Sequence, residues 1–248
     1  FEDFAAPSAE RVEPAGDAPP PPSLAFFGDS TAVMVGIGMK IWQEEGGPFS
    51  IVPGAVELGC GIELPGRRRV GPDREVLDKP DHCEGHLASW GPLVAEHQPT
   101  AAVIQVGVWE ATDQQVEGSE VWQHLGQPEF DRLTLELLGA KADELLQAGA
   151  EHIVWITAPP IDPTLNPSYR GSSGPEADPA RFQRFNELVV EMASTRPQVE
   201  IVDLAAHLAA LPEAELARIR PDGTHFPRDA AAALTKEWLG PQILATLE

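Results

Sequence analysis

Residues 24–35, Leu-Ala-Phe-Phe-Gly-Asp-Ser-Thr-Ala-Val-Met-Val, are the stretch that decides the fold. A short apolar run stops at Gly28, and a second apolar segment follows the turn. The first run predicts a buried strand over Leu24–Phe27, and the second predicts a helix over Ser30–Glu45. A strand that passes directly into a helix is typical of a parallel α/β sheet.

The rest of the chain repeats this alternation. Further strands are predicted at Ile51–Val56 (broken by Pro53 and Gly54), Ala101–Val106, His152–Thr157 and Glu200–Asp203. Helices are predicted at Trp90–Glu96, Phe130–Ala148, about Asp178 to Ala193, and Ala230–Leu247, the last kinked or split at Gly240-Pro241. Two segments are predicted to be irregular, Gly61–Cys83 and Ile161 to about Asp178. Apolar strands between helices predict a parallel sheet covered on both faces, with ligands beyond the carboxyl ends of its strands.

Composition divides the chain into a linker and one folded domain. Residues 1–22 are rich in Ala, Glu and Pro and end in four prolines, which is typical of an extended linker. Residues 23–248 suit one α/β domain of ordinary apolar content. The chain starts at Phe1 rather than Met, so we interpret it as an excised or processed piece of a longer protein.

Charge limits the partners that the chain can have. The formal net charge is −22, whereas nucleic acid binding needs a basic face, so nucleic acid is excluded as a partner. Tight contact with an anionic membrane surface is disfavoured for the same reason. No apolar run of the sequence approaches the roughly 18–20 residues needed to span a bilayer.

Ser30 is the first candidate for chemistry. It is predicted to be the first helical residue after a tight turn, where free N–H groups and the helix dipole suit a developing oxyanion. Gly28 permits close approach or unusual backbone angles in that turn. The alternative is that Asp29 or Ser30 is only a helix N-cap, which is a common role.

Asp222 and His225 form the second candidate element. An Asp three residues before a His, on a turn that enters a helix, lets the carboxylate hold one imidazole nitrogen while the other faces a serine. Alternatively, Asp222 is an ordinary Pro-Asp-Gly turn residue and His225 a surface or capping histidine. With Ser30 in the same α/β pattern, the balance favours a Ser-His-Asp triad and an acyl-transferring or ester-cleaving enzyme.

The two cysteines leave three interpretations open from the residues alone. Cys60 and Cys83 are compatible with one disulfide that closes a loop, or with two reduced, buried thiols. A zinc site built from Cys60, His82, Cys83 and His86 is conceivable, but adjacent His82 and Cys83 fit no common zinc-finger spacing.

Over residues 23–248 the chain resembles the SGNH hydrolases, also called the GDSL family. Gly28-Asp29-Ser30 matches the first block of that family, with Ser30 as nucleophile, and Asp222 and His225 match the Asp-x-x-His of the fifth block. Gly59 matches the glycine of the second block, whose N–H helps to form the oxyanion hole with that of Ser30. The resemblance implies a flavodoxin-like three-layer α/β/α sandwich. It implies no metal or organic cofactor, since the triad chemistry needs none.

The third block departs from the family pattern. The family has Gly-x-Asn-Asp, and its Asn side chain donates to the oxyanion, whereas this chain has Gly107-Val108-Trp109-Glu110. Two backbone donors then remain, and the loss of one donor costs about 10²–10³ in rate. Trp109 is expected to form a pocket wall or to lie in the core, and we assign it no donor role.

This departure and other residues resemble one subgroup. Gly-Cys-Gly around Cys60, the later Cys83 and Trp90, and Arg-x-Asp-Gly-x-His-Phe from Arg220 look like the extracytoplasmic SGNH domains at the C-terminus of bacterial acyltransferase family 3 membrane proteins. That resemblance implies a tether to a transmembrane acyltransferase domain and transfer of an acyl group, usually acetyl, to a cell-envelope glycan or glycolipid. It also favours the Cys60–Cys83 disulfide.

Three functions follow as hypotheses. The first is a serine-dependent O-acyltransferase with an acyl donor and a carbohydrate acceptor. The second is a carbohydrate acetyl esterase that uses the same triad, and the third is a non-catalytic glycan-binding or docking module. Candidate pocket residues are Asp29, Trp109, Glu110 and Arg220. Arg67–Arg69 are further candidates for binding an anionic substrate group, unless they are only solvated charges.

Overall fold

The computed structural model describes residues 20–166 and 174–248. Most of the predicted linker over residues 1–22 lies outside them, as does the middle of the loop predicted to begin at Ile161. Across the described parts of the chain, every helix is too short or too polar to cross a bilayer.

The central sheet is parallel and follows the predicted strands. Its members are β1 (Ser23–Gly28), β2 (Ser50–Ile51), β3 (Ala55–Val56), β6 (Ala101–Gln105), β8 (His152–Ile156) and β9 (Val199–Val202). They lie in the order β2-β1-β6-β8-β9. β2 pairs with the first residues of β1, and β3 pairs with the last two, Phe27 and Gly28. β2 and β3 are the two halves of the predicted strand Ile51–Val56, interrupted where Pro53 and Gly54 were expected to break it.

Helices cover both faces of this sheet. They are α1 (Ser30–Glu44), α2 (His82–Ala88), α3 (Trp90–His97), α4 (Pro128–Ala148), α5 (Pro179–Ala193), α6 (Leu204–Ala209), α7 (Glu213–Ile219), α8 (Arg228–Leu234) and α9 (Gly240–Ala245). Short α2, α6 and α7 were not predicted. A π-helical turn at Thr235–Leu239 joins α8 to α9, immediately before the predicted break at Gly240-Pro241.

Alternate residues of the strands point to two separate cores. Phe27, Ile104 and Trp155 pack with α3, α4 and α5, whereas Phe26, Val103 and Val154 pack with α1 and the C-terminal helices. The molecule therefore has three layers, and the predicted α/β/α sandwich with a parallel sheet is confirmed.

The prediction of an irregular segment over Gly61–Cys83 is wrong. This segment contains β4 (Gly66–Val70) and β5 (Glu75–Asp78), which form an antiparallel hairpin, and β7 (Asp113–Val116) completes a second, three-stranded sheet in the order β5-β4-β7. β4 was missed because its residues, Gly-Arg-Arg-Arg-Val, lack the apolar alternation that marks a half-buried strand.

Candidate active site

Ser30 lies where β1 ends and α1 begins. Gly28 has a φ of +138°, and a β-carbon there would lie 1.9 Å from the Gln105 carbonyl oxygen, so only glycine fits this turn. Asp29 caps the helix, since its Oδ1 accepts hydrogen bonds from the Thr31 N–H at 2.7 Å and the Thr31 hydroxyl at 2.6 Å. Because Asp29 takes the capping role, the Ser30 hydroxyl is left for another partner.

Asp222 and His225 lie in the turn between α7 and α8. Gly223 has a φ of +75°, and a β-carbon there would lie 2.0 Å from the Asp162 carbonyl oxygen. The Asp222 Oδ1 accepts hydrogen bonds from the N–H groups of Thr224 and His225, at 2.8 and 2.7 Å. Its Oδ2 lies 2.8 Å from the His225 Nδ1. One carboxylate therefore holds both the backbone and the ring of the histidine.

The structure brings Ser30, His225 and Asp222 together. The Ser30 Oγ lies 2.8 Å from the His225 Nε2, although the two residues are 195 positions apart in sequence. With the Nδ1 proton donated to Asp222, the Nε2 is left as the acceptor for the Ser30 hydroxyl proton. The side chains of His225 and Asp222 are 37% and 46% exposed, so solvent and substrate can reach them. This geometry fits a serine nucleophile with a histidine base.

Electrostatics keep the Asp222 carboxylate charged. Burial alone would raise the pKa of Asp222, but the hydrogen bonds that it accepts from His225 and Thr224 outweigh burial and hold this pKa below its ordinary value. A charged Asp222 favours the imidazolium that forms when His225 accepts a proton.

Arg220 fixes the turn that carries His225. Its Nε donates to the Thr224 carbonyl oxygen and its Nη1 to the Pro160 carbonyl oxygen, both at 3.0 Å. The side chain is buried, and burial lowers its pKa to about 10. Arg220 also lies on the wall of a small cavity beside His225. Its observed bonds go to the chain's own carbonyl groups, which gives it a structural role.

Gly59 lies on the loop that follows β3. That loop is held to the end of β1, because the Glu57 N–H donates to the Gly28 carbonyl oxygen at 2.9 Å. Gly59 has a φ of +80°, in the left-handed region, and its carbonyl oxygen accepts a 2.9 Å hydrogen bond from Arg68 Nη1. As donors to an oxyanion, the N–H groups of Gly59 and Ser30 remain predictions.

Trp109 and Glu110 have different environments. The Trp109 ring lies under the Arg68 guanidinium, 3.8 Å from its central carbon, and the indole Nε1 is buried with no hydrogen-bond partner among the described residues. The Glu110 side chain is buried, and its Oε1 accepts a hydrogen bond from the Ile62 N–H at 2.5 Å. Glu110 thus ties the third-block segment to the loop that carries Gly59 and Cys60.

Three buried carboxylates lie behind the site. Burial raises the pKa of Glu110 to about 8, and the neighbouring charges of Glu63 and Asp29 add to this shift. Burial also raises the pKa of Asp29 to about 6 and that of Glu63 above its ordinary value. Two cations oppose these charges, since Glu63 pairs with Arg68 at 3.5 Å and with Lys79 at 3.6 Å.

Cys60 and Cys83 form a disulfide bond, as the resemblance implied. The ligand atoms of Cys60, Cys83 and His82 lie within 4.8 Å of one another. Because the two sulfurs are bonded to each other, they are not thiolate ligands, and the zinc interpretation is wrong for this oxidised form. The bond anchors the residue that follows Gly59 to the start of α2.

A larger cleft, of about 630 Å³, lies beside the disulfide. Its walls include Gly61, Cys83, the β4 residue Arg67 and several carboxylates: Glu63, Asp78, Asp81, Glu84, Glu117 and Glu120. Neither Ser30 nor His225 lines this cleft.

The four candidate pocket residues divide into two pairs. Trp109 is partly exposed, and Arg220 is buried but lines the small cavity, so both can border a pocket. Asp29 and Glu110 are buried and do not line that cavity. Sequence reasoning did not predict the contact of Arg68 with Gly59. The available signal was the Gly71-Pro72-Asp73 turn, which separates two short segments able to pair as a hairpin.

Comparison with known proteins identifies the fold. No protein-family model and no curated protein sequence matches the chain. Among solved structures, a lipase/acylhydrolase from Enterococcus faecalis is 16% identical with a TM-score of 0.53, covering 91% of this chain and 92% of that one. The periplasmic domain of a lipopolysaccharide acetyltransferase from Salmonella ser. Paratyphi A is 12% identical with a TM-score of 0.54, covering 90% and 83%. A GDSL-like lipase from Parabacteroides merdae is 13% identical with a TM-score of 0.51, covering 90% and 95%.

These similarities extend over most of the chain at low identity. They show that the chain has the fold of SGNH/GDSL hydrolases, as the resemblance of its motifs implied.

Proposed function

We propose that the chain is a serine-dependent O-acyltransferase that transfers an acyl group, in the first instance acetyl, to a hydroxyl of a cell-envelope glycan or glycolipid. The observation that carries this proposal is the 2.8 Å contact between Ser30 Oγ and His225 Nε2, with Asp222 on the opposite ring nitrogen. This arrangement on an SGNH fold supports acyl chemistry at Ser30.

The first half-reaction forms an acyl-enzyme. His225 Nε2 accepts the Ser30 hydroxyl proton while Oγ attacks the acyl carbon of the donor, giving a tetrahedral oxyanion. The N–H groups of Ser30 and Gly59 stabilise that oxyanion. When the intermediate collapses, the bond to the leaving group breaks, His225 returns the proton to that group, and the acyl group remains on Ser30.

The second half-reaction regenerates the serine. His225 accepts a proton from the acceptor hydroxyl, whose oxygen attacks the acyl carbon. The bond to Ser30 Oγ then breaks, and the proton passes from His225 to Ser30. Water competes for the same acyl-enzyme, so slow hydrolysis accompanies transfer.

Two considerations favour a cell-envelope acceptor. The Cys60–Cys83 disulfide suits an oxidising compartment outside the cytoplasm. One protein of similar fold is the periplasmic domain of a lipopolysaccharide acetyltransferase. We further propose that a transmembrane acyltransferase domain in the same protein tethers this chain and supplies its acyl groups.

The esterase alternative uses the same three residues and differs only in its acceptor. Lipases and acylhydrolases share this fold, so an acetyl esterase acting on carbohydrate is the second candidate. The non-catalytic alternative is motivated by Trp109 in place of the family's Asn.

An aryl-acetate assay tests the enzyme proposal. Wild type is compared with Ser30→Ala and with Ser194→Ala, a control that removes an exposed hydroxyl at the end of α5. We expect wild type and Ser194→Ala to release the aryl alcohol at equal rates and Ser30→Ala to show background only. Equal rates for wild type and Ser30→Ala would support the non-catalytic module.

An acceptor experiment separates transfer from hydrolysis. Excess chitopentaose or cellopentaose is added to the aryl-acetate reaction, and the products are analysed by mass spectrometry. Transfer predicts O-acetylated oligosaccharide at the expense of free acetate. Hydrolysis that neither acceptor affects would support the esterase.

A further inference from the structure

Arg68 is a buried cation in the second sheet that the proposed reaction does not use directly. It lies in the middle of β4, and its side chain is only 5% exposed. Arg69, the next residue, points to the opposite face of the sheet and stacks on Trp122 at 3.9 Å. Two adjacent arginines thus make similar ring contacts, but only Arg68 contacts the loop that carries Gly59.

The Arg68 guanidinium is held on three sides. Its Nη1 donates to the Gly59 carbonyl oxygen at 2.9 Å, and the Trp109 ring lies 3.8 Å below its central carbon. Glu63 lies 3.5 Å from the same Nη1. A planar guanidinium can stack on a ring and donate in its own plane at once, which an ammonium group cannot do.

The space on the side-chain side of the Gly59 α-carbon is open apart from Arg68. A β-carbon built on it would meet only one atom within 4 Å, the Arg68 Nη2 at 3.8 Å. Its φ of +80° lies in the left-handed region, which glycine adopts readily and other residues adopt rarely. The orientation of Gly59 therefore depends on Arg68 at its carbonyl and on the disulfide at the following residue, Cys60.

Trp109, which stands where the family has Asn, is the residue on which the Arg68 guanidinium stacks. The indole N–H is buried and has no hydrogen-bond partner among the described residues, so the contact that this side chain offers is that of its ring face. That face supports Arg68. Trp109, which replaces the side-chain donor of the family's oxyanion hole, is thus also the residue that supports Arg68 beside the Gly59 carbonyl.

We infer that Arg68 is a positioning residue of the acyl-transfer site: seated on Trp109, it holds the Gly59 carbonyl and thereby aims the Gly59 N–H at the acyl oxygen. This inference rests on the proposed function. Arg68 acts through Gly59 and does not itself touch the substrate. Its removal misaligns one oxyanion donor without affecting the binding of the acyl donor.

The test compares Arg68→Met with Arg132→Met, a control that removes an exposed cation from α4. With aryl acetate as substrate, we expect Arg68→Met to lower kcat about 10- to 100-fold, somewhat less than deleting a donor outright, with KM changed less than about threefold. Arg132→Met should keep kcat within about twofold of wild type. Thermal unfolding of both variants checks that they are folded.

Two further variants keep the inference falsifiable if Arg68→Met folds poorly. Trp109→Leu leaves the cation in place but removes its seat, and should lower kcat with KM little changed. In Arg68→Ala, about 50 mM guanidinium chloride should restore part of the lost kcat by occupying the vacated site on Trp109, and it should not accelerate wild type.

Several results would overturn the inference. These are an unchanged kcat in Arg68→Met or Trp109→Leu, equal losses in the Arg68 and Arg132 variants, or a loss that appears in KM alone. Full activity of Arg68→Lys would also contradict it, because the charge without the planar group would then suffice. Failure of the proposed function is distinguishable, since wild type would then be no faster than Ser30→Ala.

Discussion

Asp222 shows how much of the site depends on single atoms. One of its carboxylate oxygens accepts two backbone N–H groups, and the other faces the His225 Nδ1. The residue therefore shapes the turn and sets the tautomer of the histidine at once. These two roles can be separated by a substitution that keeps the shape and removes the charge.

Asp222→Asn makes that separation. The amide oxygen can still accept from the backbone N–H groups of Thr224 and His225, so the turn and the fold should be kept. The amide nitrogen, however, donates to His225 Nδ1 and favours the tautomer that cannot accept the Ser30 proton. We expect kcat for aryl acetate to fall on the order of 10³–10⁴-fold with a thermal midpoint close to wild type. An unchanged kcat would show that His225 does not act as the base.

The sequence predicts the place of a site residue where that residue lies in a short motif. Ser30, Asp222 and His225 could be found because each stands in a local pattern that itself determines the backbone around it. Arg68 could not be placed in the same way, because its role depends on contacts with Gly59 and Trp109 that only the tertiary fold creates.

The β1–α1 turn determines where the nucleophile stands at the scale of elements. Gly28 approaches β6 so closely that the Gln105 carbonyl oxygen occupies the place of a β-carbon. Close approach of β1 to β6 and the abrupt start of α1 therefore both require glycine at this position.

Gly28→Ala should be strongly destabilising, and Gly85→Ala provides the matched control. A β-carbon at Gly85, in helix α2, meets nothing within 4 Å. We expect Gly28→Ala to lose about 2–5 kcal/mol or to fail to fold, as alanine there is both clashing and strained. Gly85→Ala should change stability by less than about 1 kcal/mol, in the stabilising direction. Urea unfolding monitored by circular dichroism measures both, and equal midpoints would contradict this account of the turn.

Elements were predictable where apolar spacing alone determines them. The strands of the central sheet and the long helices α1, α4 and α5 are of this kind. In the hairpin β4–β5, the face that carries Arg68 is covered by the Glu63 carboxylate and the Trp109 ring instead of an apolar core. Its pattern is therefore polar even though Arg68 is buried.

At the scale of the whole molecule, acidic side chains are buried in the interior as well as exposed on the surface. The chain carries a net charge of −22, and Asp29, Glu63 and Glu110 are buried near one another behind the site. Each of them is harder to ionise in the folded protein than in the unfolded chain. Folding therefore takes up protons, and stability depends on pH.

Ionisation of Glu110 destabilises the folded protein as the pH rises. Its pKa rises from 4.5 to about 8 on folding because of burial, so its contribution to stability is fully present below 4.5 and is lost as the pH rises towards 8. Asp29, with a pKa of about 6, contributes the same trend at lower pH. Between about pH 6.5 and 8, wild type should lose on the order of 2 kcal/mol through Glu110.

Glu110→Gln tests this pH dependence. The glutamine keeps the shape and an acceptor for the Ile62 N–H but does not titrate, so the loss between about pH 6.5 and 8 should be reduced. Glu136→Gln, at an exposed carboxylate on α4, should leave the loss unchanged. The free energy of unfolding is measured from urea titrations at several pH values. Parallel pH profiles for wild type and Glu110→Gln would contradict the burial of a protonated Glu110.

The layered architecture could be predicted from the sequence because alternation of strand and helix limits the arrangements that a chain can adopt. The buried acidic cluster could not, because nothing in the sequence separates a buried Glu110 from the many exposed carboxylates. Its burial results from tertiary contacts, such as those of Glu110 with the Ile62 N–H and of Glu63 with Arg68 and Lys79.

The central claim is that Ser30, His225 and Asp222 form one acyl-transfer unit. Its most direct test is the rate at which a serine-directed fluorophosphonate labels the protein, with the modified residue identified by peptide mass spectrometry. We predict a single adduct, on Ser30, formed at least about 100-fold more slowly in His225→Ala. A wild-type protein that gives no adduct on Ser30, or a His225→Ala variant labelled as fast as wild type, would contradict the claim.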